Sequence, residues 1–207
     1  MRNILVIKLS ALGDFMLAMG AMAAIKKHHS GDRITLLTTR PFVDIAERSG
    51  YFDEIIIDGR PKIYDLPQWY FLFRQLNRGN FARVYDLQLN ARTGIYCRLF
   101  LKKPEWSGVI PGSALFYPNV NWREMHAFDR HLEMLALAGI DAHLPDLSWM
   151  RTDTAAFGLK KPYALLVPGS APAREDKRWP AAKYAGLAAK LAREGLTPVI
   201  LGTGMEE

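Results

Sequence analysis

Short apolar runs alternate with longer stretches of helical periodicity along most of the chain. The runs Ile4-Leu5-Val6-Ile7, Ile34-Thr35-Leu36-Leu37, Ile55-Ile56-Ile57 and Val84-Tyr85-Asp86-Leu87, with a weaker one from Trp106 to Ile110, are short and apolar on both faces, as strands buried in a parallel sheet are. Between them an Ala/Met-rich helix is predicted from about Phe15 to Lys27, and further helical patterns lie near Phe42 to Arg48, Leu66 to Leu76, Gly94 to Leu101 and Phe128 to Ala138. Strands of this kind separated by helices predict a doubly wound α/β domain with a parallel sheet covered on both sides. One helix is unusual: Trp69-Tyr70-Phe71-Leu72-Phe73 places aromatics all around it. Most of that stretch is expected in the core; the alternative is one side facing a lipid or a partner.

After Gly139 the pattern breaks, and the polar stretch from Arg151 to Pro162 reads as a hinge between a first domain, residues 1–150, and a second part, residues 151–207. The second part begins with a strand from Tyr163 to Val167 and continues through a loop to Trp179. A helix from Pro180 to Glu194 follows, with Pro at its first position and Gly195 as its stop, and then a strand from Val199 to Leu201. A lone βαβ unit leaves apolar sheet faces without partners. The expectation is a second sheet domain cut short, with the C-terminal third of the protein lying beyond residue 207.

Composition narrows the class without naming a function. With 207 residues, 49% hydrophobic, and one cysteine, the chain has material for a sizeable core and none for disulfide staples. The opening thirty residues resemble a signal peptide only superficially. Lys8 and Asp14 interrupt the apolar stretch, and the clean run from Phe15 to Ile25 is eleven residues, too short to span a bilayer. A cytoplasmic protein is expected, and the lone Cys97 suits a reducing compartment. The net charge of +6 is concentrated: Arg60 to Lys103 holds nine basic and two acidic residues, a balance of +7 that leaves −1 for the rest. An anionic partner is one reading and solvated basic helix faces are the other. The segment carries no recognisable nucleic-acid motif, so no nucleic-acid partner is expected.

Two loops carry candidate chemistry. Lys8-Leu9-Ser10-Ala11-Leu12-Gly13-Asp14 joins the first strand to the first helix, at the carboxyl end of a parallel strand, where open α/β sheets bind ligands. Gly13 gives the turn its freedom, and Asp14 either caps the helix or projects a carboxylate into the cleft. The loop has neither the P-loop ending nor the three spaced glycines of a dinucleotide fingerprint. The second loop, Val167 to Pro180, places Gly169 and Ser170 at a strand end and Arg174, Lys177 and Arg178 before a helix start. It reads as a diphosphate cradle or as an exposed charged loop. Gly202-Thr203-Gly204 is a lone turn signal. His126 and His131 are five apart, about 140° around a helix, and no Cys/His cluster exists, so no metal site is expected.

These residues, taken in order, resemble glycosyltransferase family 9, the ADP-heptose:lipopolysaccharide heptosyltransferases. The resemblance lies in Ile4 to Lys8 with Ser10 to Asp14, in Tyr85-Asp86-Leu87-Gln88 with Arg92, in His131 to Leu135, and in Pro168-Gly169-Ser170 with Lys177-Arg178-Trp179-Pro180. It covers essentially the whole chain. It implies a GT-B architecture of two Rossmann-like domains, the first for the acceptor and the second for the nucleotide sugar. It further implies transfer of heptose from an ADP-linked donor to inner-core lipopolysaccharide, with inversion and without a metal or other cofactor. On this resemblance Asp14 is the general base and Lys177 binds the diphosphate, assisted by Gly169 and Ser170, with Arg174 beside them. Ser10, Gly13, Arg60, Lys62 and Arg92 are the expected acceptor contacts. The anionic acceptor and the basic segment together imply peripheral association with the inner face of a membrane. The family's further Asp-Ser/Thr-Gly-type donor loop does not occur in these 207 residues. The competing reading is a non-catalytic α/β module that binds an anionic glycan or phosphate ligand.

Overall fold

A computed structural model of the protein describes residues 1–170 and 175–202, and the chain divides into two units, Met1–Arg151 and Thr152–Glu207. In the first unit the apolar runs become strands β1 (Asn3–Ile7), β2 (Arg33–Thr38), β3 (Glu54–Ile57), β4 (Arg83–Asp86), β5 (Glu105–Gly108) and β6 (Leu115–Phe116). They form one sheet in the order β3-β2-β1-β4-β5-β6, parallel throughout. Helices α1 (Leu12–His28), α2 (Val43–Ser49), α3 (Leu66–Arg78), α4 (Ala91–Arg98) and α5 (Ala127–Ala136) connect and cover it.

The alternation of side chains along a strand splits the core in two. Ile4, Val6, Ile34, Leu36 and Tyr85 face α1 and α5 on one side, while Leu5, Ile7, Leu37 and Val84 face α3 and α4 on the other. α1 is apolar nearly all round because it is buried nearly all round, against the sheet and against α5. Its Gly20 marks a close approach: a Cβ there would lie 2.6 Å from the His143 carbonyl oxygen and 3.2 Å from Phe128 and Pro145. Gly20→Ala gains about 1 kcal/mol of helix propensity, but the clash with a backbone atom outweighs it. A net loss of about 1–2 kcal/mol is expected from urea denaturation.

The structure corrects the reading of the aromatic helix. Only Leu72 and Leu76 of α3 are buried, whereas Leu66, Tyr70 and Phe71 are largely exposed. A helix lying on a sheet buries one stripe, and at 100° per residue positions 72 and 76 take it while 70, 71 and 74 point away. The edge strand β6 was not expected, and no helix among the described residues is long and apolar enough to cross a membrane.

The second unit holds β7 (Tyr163–Leu166), α6 (Ala181–Arg193) and β8 (Thr197–Ile200), the two strands parallel and paired Tyr163 to Thr197 through Leu166 to Ile200. Pro180 is the residue before α6 rather than its first helical residue, with an extended ψ of 139°. Gly195 ends the helix region at φ +84°, the left-handed conformation that glycine adopts most readily. No residue of α6 is buried, and Leu165, Val167 and Ile200 are exposed.

Candidate active site

In the first unit the strand order reverses beside β1: chain direction leads outward through β2 and β3 on one side and through β4, β5 and β6 on the other. The crevice outside the carboxyl ends of β1 and β4 is the position where such sheets bind ligands. Three turns meet there, after β1, β3 and β4. Each strand end carries a charged, buried residue, in turn Lys8, Asp58 and Asp86.

Asp14 stands at the third residue of α1, so it is not the helix N-cap, a position taken by Ala11. Its Oδ2 is 3.5 Å from the Ala11 amide, the long limit of a hydrogen bond, and the side chain is exposed. A carboxylate in the first turn is favoured by the helix dipole, and this one keeps accepting capacity toward the crevice. The loop that carries it is held from outside. The amides of Leu9 and Ser10 donate to Gln88 Oε1 at 2.8 and 3.1 Å, and the Leu9 carbonyl accepts from Thr39 Oγ1 and from Arg60 Nη2, both at 2.9 Å.

The expected acceptor residues are drawn together by that network. Arg60, at φ +49°, donates its amide to Asp58 Oδ1 at 2.8 Å while its guanidinium reaches the Asp14 loop at Leu9. Arg92 Nη1 lies 3.3 Å from both the Pro61 carbonyl and Tyr96 Oη, and Tyr96 donates to Asp58 Oδ2 at 2.6 Å. Burial, with the neighbouring Asp58 carboxylate, pushes the Tyr96 hydroxyl upward, so it stays a donor. Ser10, Gly13, Asp14, Arg60 and Arg92 therefore belong to one continuous rim. Lys62 extends the rim outward, exposed, with its Nζ 5.8 Å from the Tyr64 ring centroid.

Sequence reasoning missed the buried layer beneath. The Asp86 carboxylate accepts from the amides of Gln88 and Leu89 at 3.1 and 3.0 Å, which shapes the turn that presents Gln88. Burial raises its pKa to about 6, against the pull of hydrogen bonds from Thr93 and those amides. Lys8 Nζ donates to the Leu87 carbonyl at 3.2 Å, and burial lowers its pKa to about 8 despite the nearby Asp14 and Asp86. His131 Nε2 reaches the same carbonyl at 3.1 Å, and burial depresses that imidazole to about 3, so it is neutral and donates. His126 stands apart as the residue before α5. The available signal was one charged residue at the end of each of three strands.

In the second unit, Lys177 closes a short 3₁₀ turn, Glu175–Lys177, and is exposed. Arg178 donates to Ser170 Oγ at 3.3 Å and to the Ser170 carbonyl at 3.2 Å, which ties the strand end at Gly169-Ser170 to the approach of α6. Trp179 and Tyr184 stack edge to face at 5.2 Å and, with Leu166, Pro168 and Gly202, line an open cleft of about 800 Å³. Arg174, and Thr203 and Gly204 of the turn signal, lie outside the described residues.

A protein-family model described as glycosyltransferase family 9 (heptosyltransferase) matches residues 69–207. The chain belongs to glycosyltransferase family 9. Solved structures repeat its fold. The glycosyl transferase family 9 protein of Veillonella parvula superposes with a TM-score of 0.76 at 23% identity, over 99% of this chain and 63% of that one. Escherichia coli heptosyltransferase WaaC with ADP-2-deoxy-2-fluoro heptose gives 0.68 at 19% identity, over 99% and 70%. Escherichia coli ADP-heptose lps heptosyltransferase II gives 0.66 at 20%, over 99% and 65%. The family-9 chain thus has the α/β, GT-B type of fold and spans about two thirds of the length of these relatives. A search of curated proteins found no match.

Proposed function

We propose that the protein is an inverting glycosyltransferase moving heptose from ADP-heptose to the anionic inner core of lipopolysaccharide. The observation that carries this reading is the exposed Asp14 carboxylate at the sheet's switch point, set in one rim with Arg60 and Arg92. Family membership and the ligand of the WaaC structure support a nucleotide-sugar donor.

In the proposed reaction the acceptor hydroxyl lies against Asp14, which takes its proton as the oxygen attacks the anomeric carbon from the face opposite the leaving group. One displacement inverts that carbon, and ADP leaves with the electron pair. Arg60, Lys62 and Arg92 hold acceptor phosphates or carboxylates, with Ser10 and Gly13 beside the reacting hydroxyl. Lys177 offsets charge on the departing diphosphate, with the backbone at Gly169 and Ser170 and the Arg174 cation assisting. No metal or other cofactor enters this scheme, and the cations supply what a divalent ion would. The acceptor's lipid end would keep the protein at the cytoplasmic face of a membrane.

The test is a transfer assay with ADP-heptose and a de-acylated inner-core acceptor, with product read by mass spectrometry. A product one heptose heavier supports the reading. Acceptor binding with no product under any donor supports the glycan-binding module instead. For Lys177→Ala, calorimetry is expected to show ADP binding weakened about 10- to 100-fold, and an unaltered Kd removes the phosphate role.

A further inference from the structure

The catalytic scheme uses Arg60 and Lys62 of the loop before α3 and leaves the outer face of α3 itself without a task. Ile63, Tyr64, Leu66, Tyr70 and Phe71 are between 61% and 92% exposed, a cluster of large apolar side chains that a solvated surface has no reason to hold together. Four cations, Arg60, Lys62, Arg74 and Arg78, share this stretch with a single acid, Asp65. The Asp65 carboxylate is engaged at the helix start, accepting from the Gln68 amide at 3.2 Å to cap α3. The outer face is therefore apolar, aromatic and positive. Two of its cations sit over its own rings, Lys62 over Tyr64 at 5.8 Å and Arg74 over Tyr70 at 6.0 Å.

We propose that this face docks the protein on an anionic phospholipid bilayer, lying in the interface with its rings at headgroup level and its cations on lipid phosphates. Tyr70, Phe71 and Leu66 on one side of an amphipathic helix, with Ile63 and Tyr64 in the loop before it and Arg and Lys flanking them, match the chemistry of that interface. A second copy of this chain fits poorly, because a two-fold contact would bring the same four cations against each other. The inference deepens the proposed function, since Arg60 and Lys62 belong both to the acceptor rim and to this face. Docking would present the rim at the plane where a glycolipid headgroup stands. The docking itself rests on α3 and needs neither donor nor acceptor.

The test is flotation of the 207-residue chain with vesicles of phosphatidylcholine containing about one third phosphatidylglycerol, without lipopolysaccharide. Binding is expected at low salt and weakens at about 0.5 M salt, where screening is short-ranged. Pure phosphatidylcholine is expected to bind at least about tenfold less tightly. Tyr70→Ser with Phe71→Ser, and separately Arg74→Glu with Arg78→Glu, are each expected to lower partitioning at least about tenfold with unchanged circular dichroism. Asp14→Asn should float like the parent, so failure of the catalytic reading and failure of docking are read apart. Absence of vesicle binding overturns the proposal. So does binding that ignores both α3 pairs or the lipid charge, as does self-association that the same pairs abolish without any vesicle binding.

Discussion

Asp14→Asn is expected to lower kcat by about 10²–10⁴-fold while the folded state loses no more than about 1 kcal/mol, from the lost attraction to the Lys8 ammonium. The two halves of that expectation come from one geometry. Asp14 stands in the first turn of α1 with a 3.5 Å contact to the Ala11 amide, and an asparagine oxygen can replace so weak a cap. The amide cannot take a proton from an attacking hydroxyl. Loop position should also persist, because the loop is fixed by Gln88, Thr39 and Arg60 and not by the carboxylate. Product formation by mass spectrometry and thermal melting of the same preparations check both halves. Near-normal turnover removes Asp14 as the base, and a collapsed melting point would make it a structural residue.

What was legible in the chain, and what was not, follows from how far each signal reaches. β1 was plain in Ile4 to Ile7 because a strand buried on both faces leaves an unbroken apolar run. β6 was not, because two residues, Leu115 and Phe116, carry no period. The aromatic run of α3 misled for a related reason: five bulky residues in a row mask the stripe that Leu72 and Leu76 define, with Trp69 packed partly buried beside them. In the site, the Ser10 to Asp14 loop stood out through its place after a strand. The way Arg60 and Arg92 join it did not, since they do so by donating to the backbone carbonyls of Leu9 and Pro61, acceptors that every residue offers. Lys8 and Asp86 were hidden differently: each is one charged residue beside an apolar strand, ordinary until the fold buries it.

That burial gives Lys8 an expected effect of its own. Its ammonium donates to the Leu87 carbonyl, and burial lowers its pKa from 10.5 to about 8. The native state thus releases this proton near pH 8 and the unfolded chain near 10.5. Between those values the unfolded chain binds more protons, so this group makes stability rise with pH, and below pH 8 the charged ammonium is a standing cost. Lys8→Met, nearly matched in volume, is expected to stabilise the fold at pH 7 by on the order of 1–3 kcal/mol and to abolish the rise between pH 8 and 10.5. Asp86 responds in the opposite sense. Its folded pKa of about 6 exceeds the ordinary 3.8, so it makes stability fall as pH rises between them, and Lys8's charge restrains that shift. In the variant the fall should therefore extend above pH 6. Urea denaturation across pH 4 to 10.5 reads both effects, and a destabilised variant with the parent's pH profile would overturn them. The Lys8 ammonium feels both Asp14 and Asp86, so its loss leaves the two carboxylates at the crevice without its opposing charge. The same variant should accordingly be the more stable protein and the slower enzyme.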